Sequence, residues 1–202
     1  MTLWRGKYPL ILASQSRARQ TLLANAGINF EAVPAELDER ALQQTSGLSA
    51  PGDIAALLAR EKALAVSSQQ SGKFVVGADQ TLALGTRLFS KPASRAQAAE
   101  QLRALAGHGH ELHSAVAVAR DGKILFEAEA VARMTMRRLG EAEIDAYLDQ
   151  AGKAVTSSVG AYQLEGLGVH LFERIEGDHF TILGLPLLPL LAFLRSQRLL
   201  NV

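Results

Sequence analysis

Two long strand-like runs on either side of Asp121-Gly122 constrain the fold of this 202-residue chain more than any other feature. Residues 113–120 and 124–136 both have the composition of strands, and Asp-Gly is a strong signal for a β-hairpin turn. A hairpin makes its two strands antiparallel. Earlier in the chain, helix-like and strand-like segments alternate, which is typical of parallel βαβ units. We therefore predict an α/β fold with a mixed, partly antiparallel sheet flanked by helices.

Hydrophobic periodicity predicts where the elements of this fold lie. Helices are expected near residues 16–26, 53–69, 94–106, 140–150 and 186–198, and strands near 8–13, 29–33, 73–77, 80–84, 113–120, 124–136 and 160–175. The loosest stretch, 43–53, is predicted to be a surface loop that ends in Asp53 as a helix cap. Because no internal repeat or low-complexity linker is present, residues 1–202 are predicted to form a single domain, with two lobes around a cleft as a variant.

Composition excludes several classes of protein. The chain has 21 Lys and Arg against 20 Asp and Glu, so there is no overall basic field to hold nucleic acid. It has no cysteine, which excludes disulfides and thiolate chemistry and fits a reducing compartment. The N-terminus shows no signal-peptide pattern, and the most apolar stretch, 182–194, is shorter than the ~20 residues of a membrane span. We expect a cytoplasmic protein without membrane or nucleic-acid partners.

Asp79 and Gln80 interrupt an apolar run, FVVGADQTLALG at 74–85, that otherwise has the pattern of a buried strand. An unpaired charge in such a strand costs several kcal/mol or shifts its pKa until it is neutral. The carboxylate of Asp79 is therefore either hydrogen-bonded and structural or held for chemistry. The residue alone leaves both interpretations open.

Two further patterns provide oxygen ligands and positive charges. The segment AELDER at 35–40 places acidic side chains, Glu39 among them, after a strand-like run, where they could bind Mg²⁺ or Mn²⁺ or form a solvated turn. Cationic and hydroxyl side chains occur at Ser14, Ser16, Arg17, Arg19, Lys62 and Lys91. Arginines are unexpected in the first turn of a helix, where unpaired N–H groups favour anions. A phosphate bound at that turn would account for them.

The segment GHGHELH at 107–113 supplies His108, His110 and His113 and raises the question of a zinc site. In a strand these positions alternate between faces, so the three side chains would not converge. The chain also has no phosphate-binding P-loop, no dinucleotide-binding glycine motif and no nucleophile elbow. We therefore predict no zinc site and none of these common nucleotide or hydrolase motifs.

Seven segments, taken in order, resemble the motifs of the Maf family. They are LILASQSRARQTLL, AELDER, REKA, VVGADQTLAL, SKPAS, LAGHGHELHSAVAV and the late pair VGAYQLEGLG and IEGDHFTILGLPL. The resemblance spans nearly the whole chain and implies the fold of the inosine triphosphatase superfamily. It also implies a nucleoside triphosphate pyrophosphatase that releases a nucleoside monophosphate and diphosphate with a divalent cation, Mg²⁺ or Mn²⁺, and that is commonly a homodimer.

The resemblance also implies roles for single residues. Asp79 would accept the proton of the attacking water, and Glu39 with Asp79 would hold the metal. The triphosphate would be bound by Ser14, Arg19, Lys62 and Lys91. A nucleotide-binding regulator of cell division or septum formation with little turnover is the alternative, although a pure binder has no need of an isolated carboxylate in an apolar strand.

Three positions would choose the base, namely Ala18, Gln80 and Glu165. Members of the family that act on dTTP and UTP show Arg, Thr and Gln there, and members that act on 7-methyl-GTP show Trp, Gln and Glu. This chain agrees with the second group at Gln80 and Glu165 and with neither group at Ala18. The missing Trp leaves the base open, because a cationic methylated guanine would favour an aromatic platform as well as a carboxylate.

Overall fold

The structure, a computed structural model, describes residues 3–202, and these pack as two compact units. The first unit comprises the residues up to Gln80 together with Ser114–Ala130 and His179–Val202, and the second comprises Thr81–His113 and Val131–Asp178. The described residues contain seven strands and seven α-helices: β1 (Leu10–Leu12), α1 (Arg17–Asn25), β2 (Phe30–Ala32), α2 (Glu39–Ser46), α3 (Pro51–Ser67), β3 (Val75–Leu84), β4 (Arg87–Phe89), α4 (Arg95–Leu105), β5 (Gly109–Arg120), β6 (Lys123–Met136), α5 (Glu141–Ala151), β7 (Phe172–Glu176), α6 (His179–Ile182) and α7 (Leu187–Ser196).

The strands form a mixed sheet, which confirms the predicted fold class. Their order is β2-β1-β3-β5-β6-β7, and β4 pairs with β3. β1 runs parallel to β2 and β3, whereas the pairs β3–β4 and β6–β7 are antiparallel. The hairpin at Asp121 and Gly122 is also confirmed, since both residues have positive φ, 51° and 73°, between the end of β5 and the start of β6.

Both faces of the sheet are covered around β1 and the start of β3 in the first unit, which explains why β1 and residues 75–78 of β3 are apolar. On one face, Leu10, Leu12 and Val76 belong to a core cluster that includes Leu23 of α1 and Leu190 of α7. The other face packs against α3 through a second cluster of small residues, Ala55, Ala59, Ala63, Ala115, Ala117 and Ala119. Small side chains on both surfaces let the helix approach the strands closely.

Gly77 of β3 shows how close this approach is. A Cβ built on Gly77 would lie 2.6 Å from the backbone nitrogen of Ala63 and would also collide with the carbonyl oxygen of Ala59, both in α3. These are backbone atoms of a helix and cannot move aside individually. Only glycine therefore permits the observed spacing between α3 and β3.

Substituting Gly77 with Ala should destabilise the protein, because the new methyl group forces α3 away from β3. Overpacking of this kind costs about 1–3 kcal/mol, which corresponds to a melting temperature roughly 2–12 °C lower for a chain of this size. Thermal unfolding followed by circular dichroism measures the effect. Gly109→Ala is the matched strand control, since a Cβ there meets only Thr135 Oγ1 at 3.9 Å. Equal melting of the two variants would contradict the prediction.

The second unit contains a buried histidine. His110 of β5 is 2% exposed, and its Nε2 lies 2.8 Å from the hydroxyl of Tyr162. The rings of Tyr162 and Phe172 pack against it. Burial lowers the pKa of His110 to about 4 and raises that of Tyr162, so both side chains are neutral near pH 7.

This histidine makes stability depend on pH. The neutral ring is favoured in the fold, so its contribution is complete above pH 6.5 and is lost as the pH falls towards about 4. Between pH 7.5 and pH 5 we expect a loss of about 2 kcal/mol, or roughly 4–8 °C in melting temperature. The variant His110→Gln should show a flatter dependence over this interval. A slope that is the same in both proteins would assign the acid sensitivity to other groups.

Several predicted boundaries are wrong. The two strands predicted at 73–77 and 80–84 are the single strand β3, and the predicted strand 160–175 is mostly turns and 3-10 helices (Val159–Ala161 and Leu167–Leu171) before β7. Gly160 has φ 75°, which no regular strand accommodates. The short elements α2, β4 and α6 were not predicted. The loop predicted at 43–53 is wrong at both ends, because α2 runs to Ser46 and α3 begins at Pro51. The N-cap of α3 is Ala50, and Asp53 lies in its first turn. Within residues 3–202, no helix combines the length and apolarity needed to cross a membrane.

Candidate active site

The centre of the candidate site is an ion-pair triad in the first unit. Asp79 of β3 is 8% exposed, and its Oδ1 lies 2.6 Å from Nζ of Lys62 on α3. The same Nζ lies 2.9 Å from Oε1 of Glu39, the first residue of α2. Because α3 presses against Gly77, two residues before Asp79, the close packing of helix and strand sets this geometry. One ammonium group therefore sits between two carboxylates, and the triad carries a net charge of −1.

Arg19 brings a second cation into this unit. Its guanidinium is buried, and Nε donates to the carbonyl oxygen of Gly184 at 2.7 Å. Nη1 donates to the carbonyl oxygen of Ala78 at 2.8 Å and to Oγ of Ser14 at 3.2 Å. Three neutral acceptors thus fix the plane of the guanidinium without neutralising its charge.

The topology of the sheet explains why Ser14 and Arg19 lie beside β3. β1 and β3 are parallel, with Leu12 opposite Val76, and the backbone N–H of Ala13 donates to the carbonyl of Val76. The chain that leaves β1 therefore passes next to the part of β3 that carries Asp79. It then turns into α1 at Ser16, the N-cap of this helix, whose side chain accepts from the backbone N–H of Arg19.

The charge of Arg19 is balanced at a distance. Burial lowers its pKa below the ordinary value, and the carboxylates of Asp79 and Glu39 counteract part of that shift. A guanidinium keeps its proton under these conditions. Arg19 and the triad together carry no net charge, so a polyanion that enters would need additional cations.

Two donors in this group remain available for a ligand. Oγ of Ser14 accepts hydrogen bonds from the backbone N–H of Ser16 and from Nη1 of Arg19. These two bonds use both lone pairs of the serine oxygen, so the serine O–H is left to donate to a ligand. Nη2 of Arg19 donates to no protein acceptor among residues 3–202. N–H and O–H donors beside buried cations are well suited to anionic oxygens.

Gln80 follows Asp79 in β3 and therefore points to the opposite face of the strand. Its Nε2 donates to Oγ of Ser114 and to the carbonyl oxygens of Thr181 and Ile182, each at 3.0 Å. Carbonyls only accept hydrogen bonds, so the amide nitrogen must face them. Its oxygen, Oε1, can only accept hydrogen bonds and is the part of the amide that could accept one from a ligand.

The other predicted site residues occupy different parts of the fold. Ala18 is half-buried in the first turn of α1. Lys91, after β4, and Glu165, in the turn before a 3-10 helix, are exposed residues of the second unit. Five of the predicted residues are thus brought together in the first unit, and the roles of all the predicted site residues stay predictions. The five are Ser14, Arg19, Glu39, Lys62 and Asp79.

Side chains that could bind a metal ion are seldom grouped in the described part of the chain. Among residues 3–202, no group of three or more His, Asp or Glu side chains converges as a metal site. Asp38 instead caps α2 by accepting from the backbone N–H of Ala41 at 2.9 Å. The pair Glu39 and Asp79 is therefore the acidic set that the structure offers to a cation at this site.

Sequence reasoning gave no site role to Gly184 or Ser114, although both contact predicted site residues. Gly184 has φ 85°, and its carbonyl receives the Nε bond of Arg19. The signal in the sequence was a glycine within an apolar stretch, which alone does not distinguish a turn from a ligand-binding loop. Ser114 lies inside the family-like segment LAGHGHELHSAVAV, where it stands in place of the Thr that the family motif has, and had no predicted role in the site.

Comparisons with known proteins identify a family and close relatives for this chain. The family model described as "Maf-like protein" matches residues 9–197. A "Nucleoside triphosphate pyrophosphatase" of Bradyrhizobium diazoefficiens is 72% identical over 202 residues, which is 100% of both chains. A "7-methyl-GTP pyrophosphatase" of Mesorhizobium japonicum is 52% identical over 93% of this chain and 95% of the relative. Among solved structures, a HAM1 protein from Coxiella burnetii has a TM-score of 0.41 and 18% identity, over 65% of this chain and 74% of that one.

Proposed function

The chain belongs to the Maf family, and we propose that it is a nucleoside triphosphate pyrophosphatase that releases a nucleoside monophosphate and diphosphate. The observation that carries this proposal is the buried carboxylate of Asp79 held against Lys62, with Arg19 and Ser14 in the same unit. A carboxylate can accept a proton from water, and fixed cations can stabilise charge on phosphate oxygens. Hydrolysis between the α- and β-phosphates requires both.

Each residue has a distinct part in this reaction. Asp79 accepts the proton as water attacks phosphorus, and the electron pair of the cleaved bond leaves with the diphosphate. Lys62, Arg19 and Ser14 donate to the phosphate oxygens, where the negative charge of the transition state is greatest. Lys91 is proposed as a further phosphate ligand from the family motif that it matches. Because Arg19 is fixed by three protein acceptors, it needs little reorganisation when the substrate binds.

We propose Glu39 and Asp79 as the ligands of a divalent cation, Mg²⁺ or Mn²⁺. The donor set fits, because both carboxylates already converge on one cationic group, Nζ of Lys62. Mg²⁺ is commonly held by one or two carboxylates, with substrate phosphates and waters as its other ligands. When bound, the cation would supply charge neutralisation and Lewis acidity at the phosphate oxygens.

The base is proposed to be chosen at Ala18, Gln80 and Glu165. Oε1 of Gln80 can only accept a hydrogen bond, so it favours a base edge that carries an N–H group. The relative named for 7-methyl-GTP is consistent with a guanine base as one candidate. We also propose a cytoplasmic homodimer, and size-exclusion chromatography with light scattering measures the assembly.

A panel of nucleoside triphosphates tests the proposed function. The purified protein is incubated with ATP, GTP, CTP, UTP, dTTP and 7-methyl-GTP, each with Mg²⁺ or Mn²⁺. We expect at least one to yield equal amounts of monophosphate and diphosphate. Release of orthophosphate instead would place the cleavage at the γ-phosphate. Absence of turnover on the whole panel would favour a nucleotide-binding regulator.

A further inference from the structure

The turn at residues 181–184, formed by the end of α6 and the two residues after it, holds two of the predicted site residues. The carbonyls of Thr181 and Ile182 accept from Gln80, and the carbonyl of Gly184 accepts from Nε of Arg19. These contacts join side chains from β3 and α1 to one short segment. The turn therefore fixes groups that are far apart in the sequence.

The turn itself is well anchored. The backbone N–H of Gly184 donates to the carbonyl of Thr181 at 3.0 Å, and that of Leu185 donates to the carbonyl of Phe180 at 3.1 Å. Leu185 is completely buried in the core cluster of the first unit. Ser114 adds a bond of 2.7 Å from its Oγ to the carbonyl of Thr181. The carbonyl that Arg19 meets is consequently presented by a rigid support.

Gly184 is required at this position for two reasons. Its φ of 85° lies in a region that side chains other than glycine rarely adopt. A Cβ on Gly184 would also lie 3.2 Å from Nη2 and 3.3 Å from Nε of Arg19. Any side chain would therefore press on the guanidinium at the edge that includes its unpaired nitrogen.

We infer that Gly184 is a positioning residue for phosphate binding, and this inference rests on the proposed function. Its carbonyl holds Nε of Arg19, and its missing side chain leaves space beside Nη2. The guanidinium is thus fixed in the orientation in which Nη2 is left to donate to an anionic oxygen of the substrate. Gly184 contacts no reacting atom and acts through Arg19.

Binding of inorganic triphosphate tests this role without requiring turnover. Calorimetry compares the wild type with Gly184→Ala and with Gly122→Ala, a glycine of similar φ, 73°, around which a Cβ meets nothing within 4 Å. Both substitutions introduce the same kind of backbone strain, but only the first touches Arg19. We expect Gly184→Ala to bind triphosphate about tenfold more weakly, the loss of one charge-assisted hydrogen bond, and Gly122→Ala to bind like the wild type.

A double-mutant cycle identifies the route of the effect. In the Arg19→Lys background, Gly184→Ala should weaken triphosphate binding little further, because the guanidinium that Gly184 positions is no longer present. Equal triphosphate affinity in Gly184→Ala and Gly122→Ala would overturn the inference, as would full additivity with Arg19→Lys.

If Gly184→Ala does not fold, Gly184→Asn tolerates the positive φ better and introduces the same Cβ. Triphosphate binding with the expected pattern but no turnover on the nucleotide panel would reject the proposed function alone.

Discussion

Replacing Asp79 with Asn is expected to lower kcat by roughly 10²–10⁴-fold, the range for loss of a general base. Asparagine has nearly the same shape, so it preserves packing in β3 while removing the ability to accept a proton from water. Its amide oxygen can still accept a hydrogen bond from Lys62. The measurement is diphosphate release under saturating substrate, because a loss of chemistry appears in kcat rather than in KM.

Stability must be separated from catalysis in this variant. Removing one charge of a buried pair is destabilising by about 3–5 kcal/mol in well-studied cases, although Lys62 keeps Glu39 as a partner here. The assay is therefore run well below the melting temperature of the variant, and inorganic triphosphate binding is measured in parallel. If the folded variant binds triphosphate and retains kcat within about tenfold of the wild type, Asp79 is a structural partner of Lys62 and another group activates water.

The sequence allowed much of the fold to be predicted, because periodicity and turn chemistry are local. The helices α1, α3, α4, α5 and α7 and the hairpin at Asp121 and Gly122 follow from such signals. The errors occur where local signals are weak. α2 has no buried residue, and the stretch before β7 is interrupted by Gly160 and two later glycines. Tertiary contacts, rather than propensity, decide the structure there.

The candidate site was predicted less completely. The sequence could indicate which residue types suit phosphates and cations, but it could not show that Lys62 contacts Asp79 and Glu39 simultaneously. It also could not show that the amide nitrogen of Gln80 is bonded to the carbonyls of Thr181 and Ile182. Those facts depend on the close packing of α3 and on the turn at 181–184, which are brought together only by folding.

Replacing Lys62 with Met should have two opposite effects. It removes a phosphate donor, so kcat/KM for the preferred triphosphate should fall by roughly 10²–10³-fold, as expected for a lost charge that stabilises the transition state. It also removes the cation that now neutralises Asp79 and Glu39. Both carboxylates lose their shared partner, so binding of Mn²⁺ to the nucleotide-free protein should become at least about tenfold tighter.

Titration of Mn²⁺ followed by electron paramagnetic resonance measures this affinity without any turnover. Arg60→Met is the matched control, because Arg60 lies on the same helix but pairs at the surface with Glu127 at 2.8 and 2.9 Å. It should change neither Mn²⁺ binding nor kcat/KM. If Lys62→Met loses activity yet binds Mn²⁺ no better than the wild type, the ammonium does not compete for Glu39 and Asp79. In that case the cation site must be sought among other oxygen ligands, whereas tighter binding would show that the ammonium opposes cation binding at Glu39 and Asp79.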